Sequence, residues 1–197
     1  MKKWMYNALI LFFAVVMVCS AGYLAYYFID SAKQERRLED LSQLRGDPVR
    51  PTVGENAEID PDVPPTTLPP DALVEVTNEK TGKTATVMQQ FAELYALNSD
   101  IIGWITIPGT DIDYPVMQTP KKTDYYLRRS FDKVYSTRGC IYARESCDLF
   151  TPDDNITIYG HRMRDRTMFA QLDGYMKKAF YKENSYIYFD TLREMHT

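Results

Sequence analysis

The sequence predicts a mainly β domain with an N-terminal packing helix and an inserted helix, carried on a transmembrane helix and a stalk. Three observations predict it. An uncharged apolar run fills Trp4 to Phe28, seven of the eleven prolines lie between Pro48 and Pro70, and short β-branched runs recur from Asp100 onward. The chain therefore divides into an anchor over 1–30, a charged then proline-rich stalk over 31–82, and a folded part over 83–197.

The anchor is long enough to cross a bilayer, since about 20 helical residues span the hydrocarbon core. Lys2 and Lys3 precede it, and Trp4, Tyr6, Tyr23, Tyr26 and Tyr27 lie towards its ends as interfacial residues do. A cleaved signal peptide is the competing reading, but its apolar region is usually shorter and only Cys19-Ser20-Ala21 resembles a cleavage site. Lys33, Arg36 and Arg37 beyond the run weaken the charge asymmetry that sets orientation. The charged run Lys33 to Asp40 continues the helix by a few turns, after which Pro64-Pro65 and Pro69-Pro70 mark an extended, solvated spacer.

In the folded part, Thr86 and Gln89 form a capping box ahead of Val87, Phe91, Leu94 and Tyr95, which predicts an amphipathic helix over 86–97. Asp100 to Ile107 and Ile112 to Val116, separated by Pro108-Gly109-Thr110, read as a β-hairpin, with Pro115 favouring an edge or a bulge. Lys121 to Val134 reads as a short helix or ordered loop, and Gly139 to Ala143 as a strand. A further strand, Asn155 to His161, precedes an inserted helix carrying Met168, Phe169, Leu172 and Met176. Tyr186 to Phe189 is the last strand, with no later strand to pair with, so the sheet reads as incomplete.

From Asn98 to the C-terminus 14 acidic residues balance 14 basic ones, and no basic stripe is interleaved with aromatics. Nucleic acid is excluded as a partner on that ground. Three cysteines without a C-x-x-C pair, and only two histidines, indicate neither a disulfide framework nor a zinc site. His161 ends its strand after Gly160, where an imidazole is carried beyond the sheet and is suited to proton transfer near neutral pH. Cys140, inside a strand, reads as a small buried hydrophobe. Cys147 lies in a polar loop where Arg144 favours the thiolate and Glu145 and Asp148 oppose it. A disulfide between the two stays open, and no serine occupies a nucleophile-elbow pattern.

Four stretches carry a resemblance in their order and spacing. Asn98-Ser99-Asp100-Ile101-Ile102-Gly103-Trp104-Ile105-Thr106-Ile107, Ile112 to Gln118, Asp124 to Leu127, and Asn155 to His161 followed by Thr167-Met168-Phe169 resemble class B sortases. The resemblance runs from Thr86 to Thr197 and covers somewhat more than the first half of such a domain. It implies a partial sortase-type β-barrel and a cysteine transpeptidase that needs no cofactor.

By that similarity His161 is the catalytic histidine, and Leu127 lines the groove that takes the sorting signal. Thr123 and Tyr159 are neighbours without an assigned role. The family's reaction cleaves a surface-protein sorting signal after threonine and joins the protein to a peptidoglycan cross-bridge or pilin amine. The implied location is the cell membrane, single-pass, with the N-terminus cytoplasmic and the domain facing the cell wall. The family's catalytic cysteine, in a Thr-Leu-x-Thr-Cys strand, and its arginine have no match here, so the resemblance implies a truncated chain, inactive by itself. The arginines after His161 read as a solvated loop. A non-catalytic, membrane-tethered peptide- or protein-binding module is the alternative.

Overall fold

The computed structural model describes residues 3–46, 73–147 and 155–194, in two units, Met1–Asp40 and Leu41–Thr197. The first unit is helical. It lies within α1 (Lys3–Arg45), the one helix among the described residues long and apolar enough to cross a membrane, and its large apolar side chains from Trp4 to Ile29 are exposed. The proline-rich segment of the expected stalk lies outside the described residues.

The second unit starts with the end of α1. Leu41 is fully buried, and Ser42 Oγ donates to Asp113 Oδ2 at 2.8 Å. Arg45, buried, is 3.2 Å from the other carboxylate oxygen and stacks over the Trp104 ring, 4.6 Å from its centroid. Trp104 Nε1 and Thr106 Oγ1 each donate to the same Oδ1 at 2.7 Å. Asp113 thus accepts from two sheet residues and from the last turn of α1.

Two sheets follow. β1 (Leu73–Asn78) and β2 (Lys83–Met88) form an antiparallel hairpin, closed by a turn in which Gly82 adopts φ +66°. This corrects two expectations. The stalk was placed as far as residue 82, yet β1 occupies its end, because Leu73, Val74 and Val76 find partners in Met88, Val87 and Ala85. The helix expected from residue 86 is also shorter. Thr86 to Met88 are held in the ladder and the Met88 N–H donates to the Leu192 carbonyl, so a 3₁₀ turn (Gln89–Phe91) and α2 (Ala92–Leu97) begin only after it. No side-chain cap forms there, so the capping-box reading fails. The expected apolar face nonetheless holds: Val87, Phe91, Leu94 and Tyr95 are all buried.

The larger sheet has the order β6-β5-β4-β3-β7, with β3 Ile101–Thr106, β4 Asp113–Met117, β5 Ile141–Ala143, β6 Ile158–Tyr159 and β7 Tyr188–Thr191. The β3–β4 hairpin falls where the sequence puts it. Pro115, expected at an edge or a bulge, lies in an interior strand opposite Trp104, in a ladder whose register shifts between Ile101 and Gly103. The parallel β4–β5 ladder pairs only Val116 with Ile141 and Met117 with Tyr142, so no ladder bond asks for the N–H that proline lacks. The last strand also has a partner: β7 returns antiparallel to β3. Gly103, opposite Thr191, leaves no room for a Cβ against the Asp190 backbone.

The architecture is the expected mainly β fold with helices, but the sheet is open and no closed barrel forms among the described residues. The inserted helix is split into a 3₁₀ segment (Phe169–Met176) and α3 (Lys178–Glu183). The core lies around Trp104, Tyr126, Phe91 and Phe131, all nearly inaccessible to solvent. A buried polar residue, Asn98, joins two of these, donating to the Tyr126 hydroxyl at 2.9 Å and to the Phe131 carbonyl at 2.7 Å.

Candidate active site

His161 is placed by the short β5–β6 ladder and the glycine that follows it. β6 pairs antiparallel with β5, Tyr142 opposite Tyr159 and Ala143 opposite Ile158. Gly160 comes next, where a Cβ would meet the Ile141 and Phe169 side chains, so a larger residue would have to displace them. His161 emerges half-buried, and its Nε2 lies 2.8 Å from the Leu127 carbonyl oxygen. A carbonyl only accepts, so Nε2 is the donor in this contact and Nδ1 is the ring nitrogen that lies outside it.

Leu127 sits in a 3₁₀ turn, Tyr125–Arg128, within the crossover between β4 and β5. That turn is anchored from below. The Tyr126 hydroxyl donates to Asp100 at 3.0 Å, and the Tyr126 carbonyl accepts from the Cys140 N–H at 3.0 Å. Gly139, at φ +61°, runs directly against the Tyr126 and Leu127 carbonyls. The two residues singled out in the sequence are therefore in contact, but through the backbone of Leu127, which side-chain reasoning does not reveal.

On the paired strands that lead to His161, Tyr142 and Tyr159 pack with centroids 5.5 Å apart. The Tyr142 hydroxyl donates to Asp124 at 2.7 Å, and the Arg144 guanidinium donates to the Tyr159 hydroxyl at 2.7 Å. Burial, and then the Asp124 carboxylate, raise the Tyr142 pKa and keep the phenol neutral. Thr123 Oγ1 donates to Glu145 at 2.9 Å.

The two cysteines of the folded part, Cys140 and Cys147, lie in different surroundings. Cys140 is buried, and burial together with Asp132 pushes its thiol well up, so it stays protonated at neutral pH. The Cys147 sulfur is half-buried and accepts the Thr157 N–H at 3.4 Å. All three cysteines are free, so no disulfide joins Cys140 to Cys147. Iodoacetamide is expected to leave Cys140 unmodified in the folded protein and to label it in urea, followed by peptide mass spectrometry. Labelling of Cys140 at native rates comparable to those of an exposed thiol would refute its burial as a neutral group.

The loop after His161 is held at both ends. Arg162 pairs with Asp173 on the surface, bridges in β fashion to Met168, and the Phe169 N–H returns to the His161 carbonyl at 3.0 Å. Burial works to raise the Asp165 carboxyl, but the Thr167 hydroxyl and N–H and the Arg138 charge hold it below its ordinary value. Such a group adds stability above the ordinary Asp pKa, and that stability is lost as pH falls through the lowered value. The three arginines after His161 are exposed, as the solvated-loop reading expects, while the Arg138–Asp165 and Arg162–Asp173 pairs tie the loop down. Among the described residues no cluster of three or more His, Cys, Asp or Glu is arranged to hold a metal ion.

In both sequence and fold the chain is similar to class B sortases. Sortase B of Staphylococcus aureus is 38% identical over 104 residues, 53% of this chain and 42% of that protein. Sortase B of Listeria monocytogenes is 38% identical over 100 residues, 51% of this chain and 40% of that one. Among solved structures, sortase B from B. anthracis in complex with AAEK1 superposes with a TM-score of 0.62 at 25% identity, covering 85% of this chain and 65% of that one. A Staphylococcus aureus sortase B–substrate complex gives a TM-score of 0.53 at 36% identity, covering 55% and 50%. The chain spans less than half the length of the curated relatives it matches. No protein-family model matches it.

Proposed function

We propose that this chain carries the peptide-binding and proton-transfer part of a class B sortase-type cysteine transpeptidase. The observation that carries this reading is the His161 Nε2 to Leu127 carbonyl contact, within a fold similar to sortase B. Transpeptidation of this kind needs a thiolate to attack the threonine carbonyl of a sorting peptide, donors for the developing oxyanion, and an acid for the leaving amine. His161 serves as that acid. Its Nδ1 delivers the proton while the Leu127 carbonyl fixes the ring through Nε2, and the Leu127 side chain lines the peptide groove. An amine from a cell-wall cross-bridge or pilin then resolves the thioester.

The thiolate and the oxyanion arginine come from residues other than Cys140, Cys147 and Arg162. Cys140 is neutral and buried, Cys147 is engaged by backbone, and Arg162 is paired on the surface. These 197 residues are thus expected to bind a sorting peptide without cleaving it. Lys2 and Lys3, before the apolar run, support a cytoplasmic N-terminus with the domain outside, and the exposed apolar side chains of α1 support a lipid environment. The 1–30 anchor is retained in this reading, and the spacer is bounded by β1 rather than by residue 82.

The neutral Cys140 also favours a second reading, a tethered module that only binds peptides. The full chain in detergent, mixed with a fluorogenic class B sorting peptide, is expected to show binding and no turnover above background. Efficient cleavage would overturn the assignment of the thiol elsewhere. Peptide addition that leaves the His161 and Leu127 resonances unmoved would overturn the sortase reading altogether.

A further inference from the structure

One buried charge, Arg138, is paired with the loop that follows His161. Arg138 is 4% exposed, and its Nη2 is 2.6 Å from Asp165 Oδ2. The other Asp165 oxygen accepts the Thr167 hydroxyl at 2.6 Å and the Thr167 N–H at 3.2 Å, in the loop that leaves His161 and returns at Phe169. Arg138 immediately precedes Gly139, which backs the Leu127 carbonyl. The Arg138 and Gly139 N–H groups both donate to Ser136 Oγ, at 3.2 and 3.1 Å, so this turn is itself fixed. The ion pair therefore joins the segment that follows the imidazole to the segment that supports its acceptor.

The backbone of that loop also needs an external hold. Arg166 and Met168 both take positive φ, +66° and +54°, values that cost a non-glycine residue on the order of 1–3 kcal/mol each unless the surroundings enforce them. Arg162–Asp173, the other ion pair of the loop, is exposed at both ends and ties the loop only to the 3₁₀ segment that follows it. We propose that Arg138 and Asp165 are positioning residues for His161, holding its Nε2–H on the Leu127 carbonyl and so keeping Nδ1 as the proton-transferring atom. This rests on the reading of His161 as the proton-transfer group.

The test uses the full chain, ¹⁵N-labelled in detergent at about pH 8, above the ordinary imidazole range. With only two histidines in the chain, His196→Gln leaves His161 as the sole imidazole signal. The parent is expected to show a protonated, slowly exchanging Nε2 and an unprotonated Nδ1. Asp165→Asn is expected to mix the tautomers and speed Nε2–H exchange by about tenfold, the response to losing roughly one hydrogen bond's net worth. Arg138→Lys keeps the charge but not the planar fork, and is expected to move the signal the same way by less. It decides the matter alone should Asp165→Asn fail to fold.

Asp173→Asn, which breaks only the surface pair, is expected to leave the ring spectrum unchanged. An unchanged tautomer and exchange rate in the folded Asp165 and Arg138 variants would overturn the proposal, as would an equal effect from Asp173→Asn. Peptide binding is not read in this experiment, so failure of the sortase reading and failure of the positioning pair are separate results.

Discussion

Gly139→Ala is expected to lower the unfolding free energy by about 3 kcal/mol and to release the Leu127 carbonyl from His161. Part of the loss is the left-handed backbone, which costs an alanine roughly 1–2 kcal/mol. The rest is steric, since the new Cβ meets the carbonyls of Tyr126 and Leu127, which are backbone and do not rotate away. A change of this size shifts the melting temperature by about 6–12 °C for a chain of this length. Gly82→Ala is the comparison. Gly82 has φ +66° but open space around its Cβ position, so it is expected to lose only the conformational part. Equal losses at the two glycines, read by thermal unfolding with circular dichroism, would show that the close approach at Gly139 does not matter.

Asp113→Ala is expected to cost about 3 kcal/mol, at the low end for breaking a buried ionic group because the carboxylate is about one third exposed. Its removal withdraws the acceptor from Trp104, Thr106, Ser42 and Arg45 together. Asp113→Asn keeps one oxygen for the sheet donors and is expected to lose less than half as much. The further expectation is local: hydrogen exchange at the last turn of α1, Leu41–Arg45, should accelerate more than exchange in β5. Uniform acceleration throughout the domain would mean that Asp113 contributes to global stability without fastening that turn.

What the sequence made legible was what local periodicity encodes. The β3–β4 hairpin lay where alternation and Pro108-Gly109 put it, and the apolar face Val87, Phe91, Leu94 and Tyr95 was right even where its secondary structure was not. Thr86 to Met88 carry both a capping pattern and strand alternation. The long-range bond from Met88 to Leu192 decided between them, and no local window contains it. The β1 strand was lost to its proline-rich neighbours in the same way, since its support comes from β2 and from the Asn78 bonds to the Tyr95 and Ala96 carbonyls, distant in sequence. At the site, Gly160-His161 was readable as a strand end, and Leu127 as its neighbour by resemblance. The hydrogen bond between them uses a main-chain oxygen, to which the side chain at 127 is irrelevant. The Arg138–Asp165 pair was illegible because its two charges lie 27 residues apart, in segments that look like ordinary polar loops.

The strand order has a consequence for how the chain acquires its structure. β7 pairs with β3, at the far end of the sheet from β6, so the contact between Gly103 and Thr191 encloses the whole excursion through β4, β5, β6 and the inserted segment. Such a pairing gains nothing until a long stretch of backbone has been restricted, which makes it a late event in folding. The β3–β4 hairpin, by contrast, needs only a short turn and forms early. Mutations in β7 are therefore expected mainly to hasten unfolding, whereas those in the hairpin slow refolding. A ribosome that has released only the residues before β7 holds a nascent polypeptide whose β3 edge is still open.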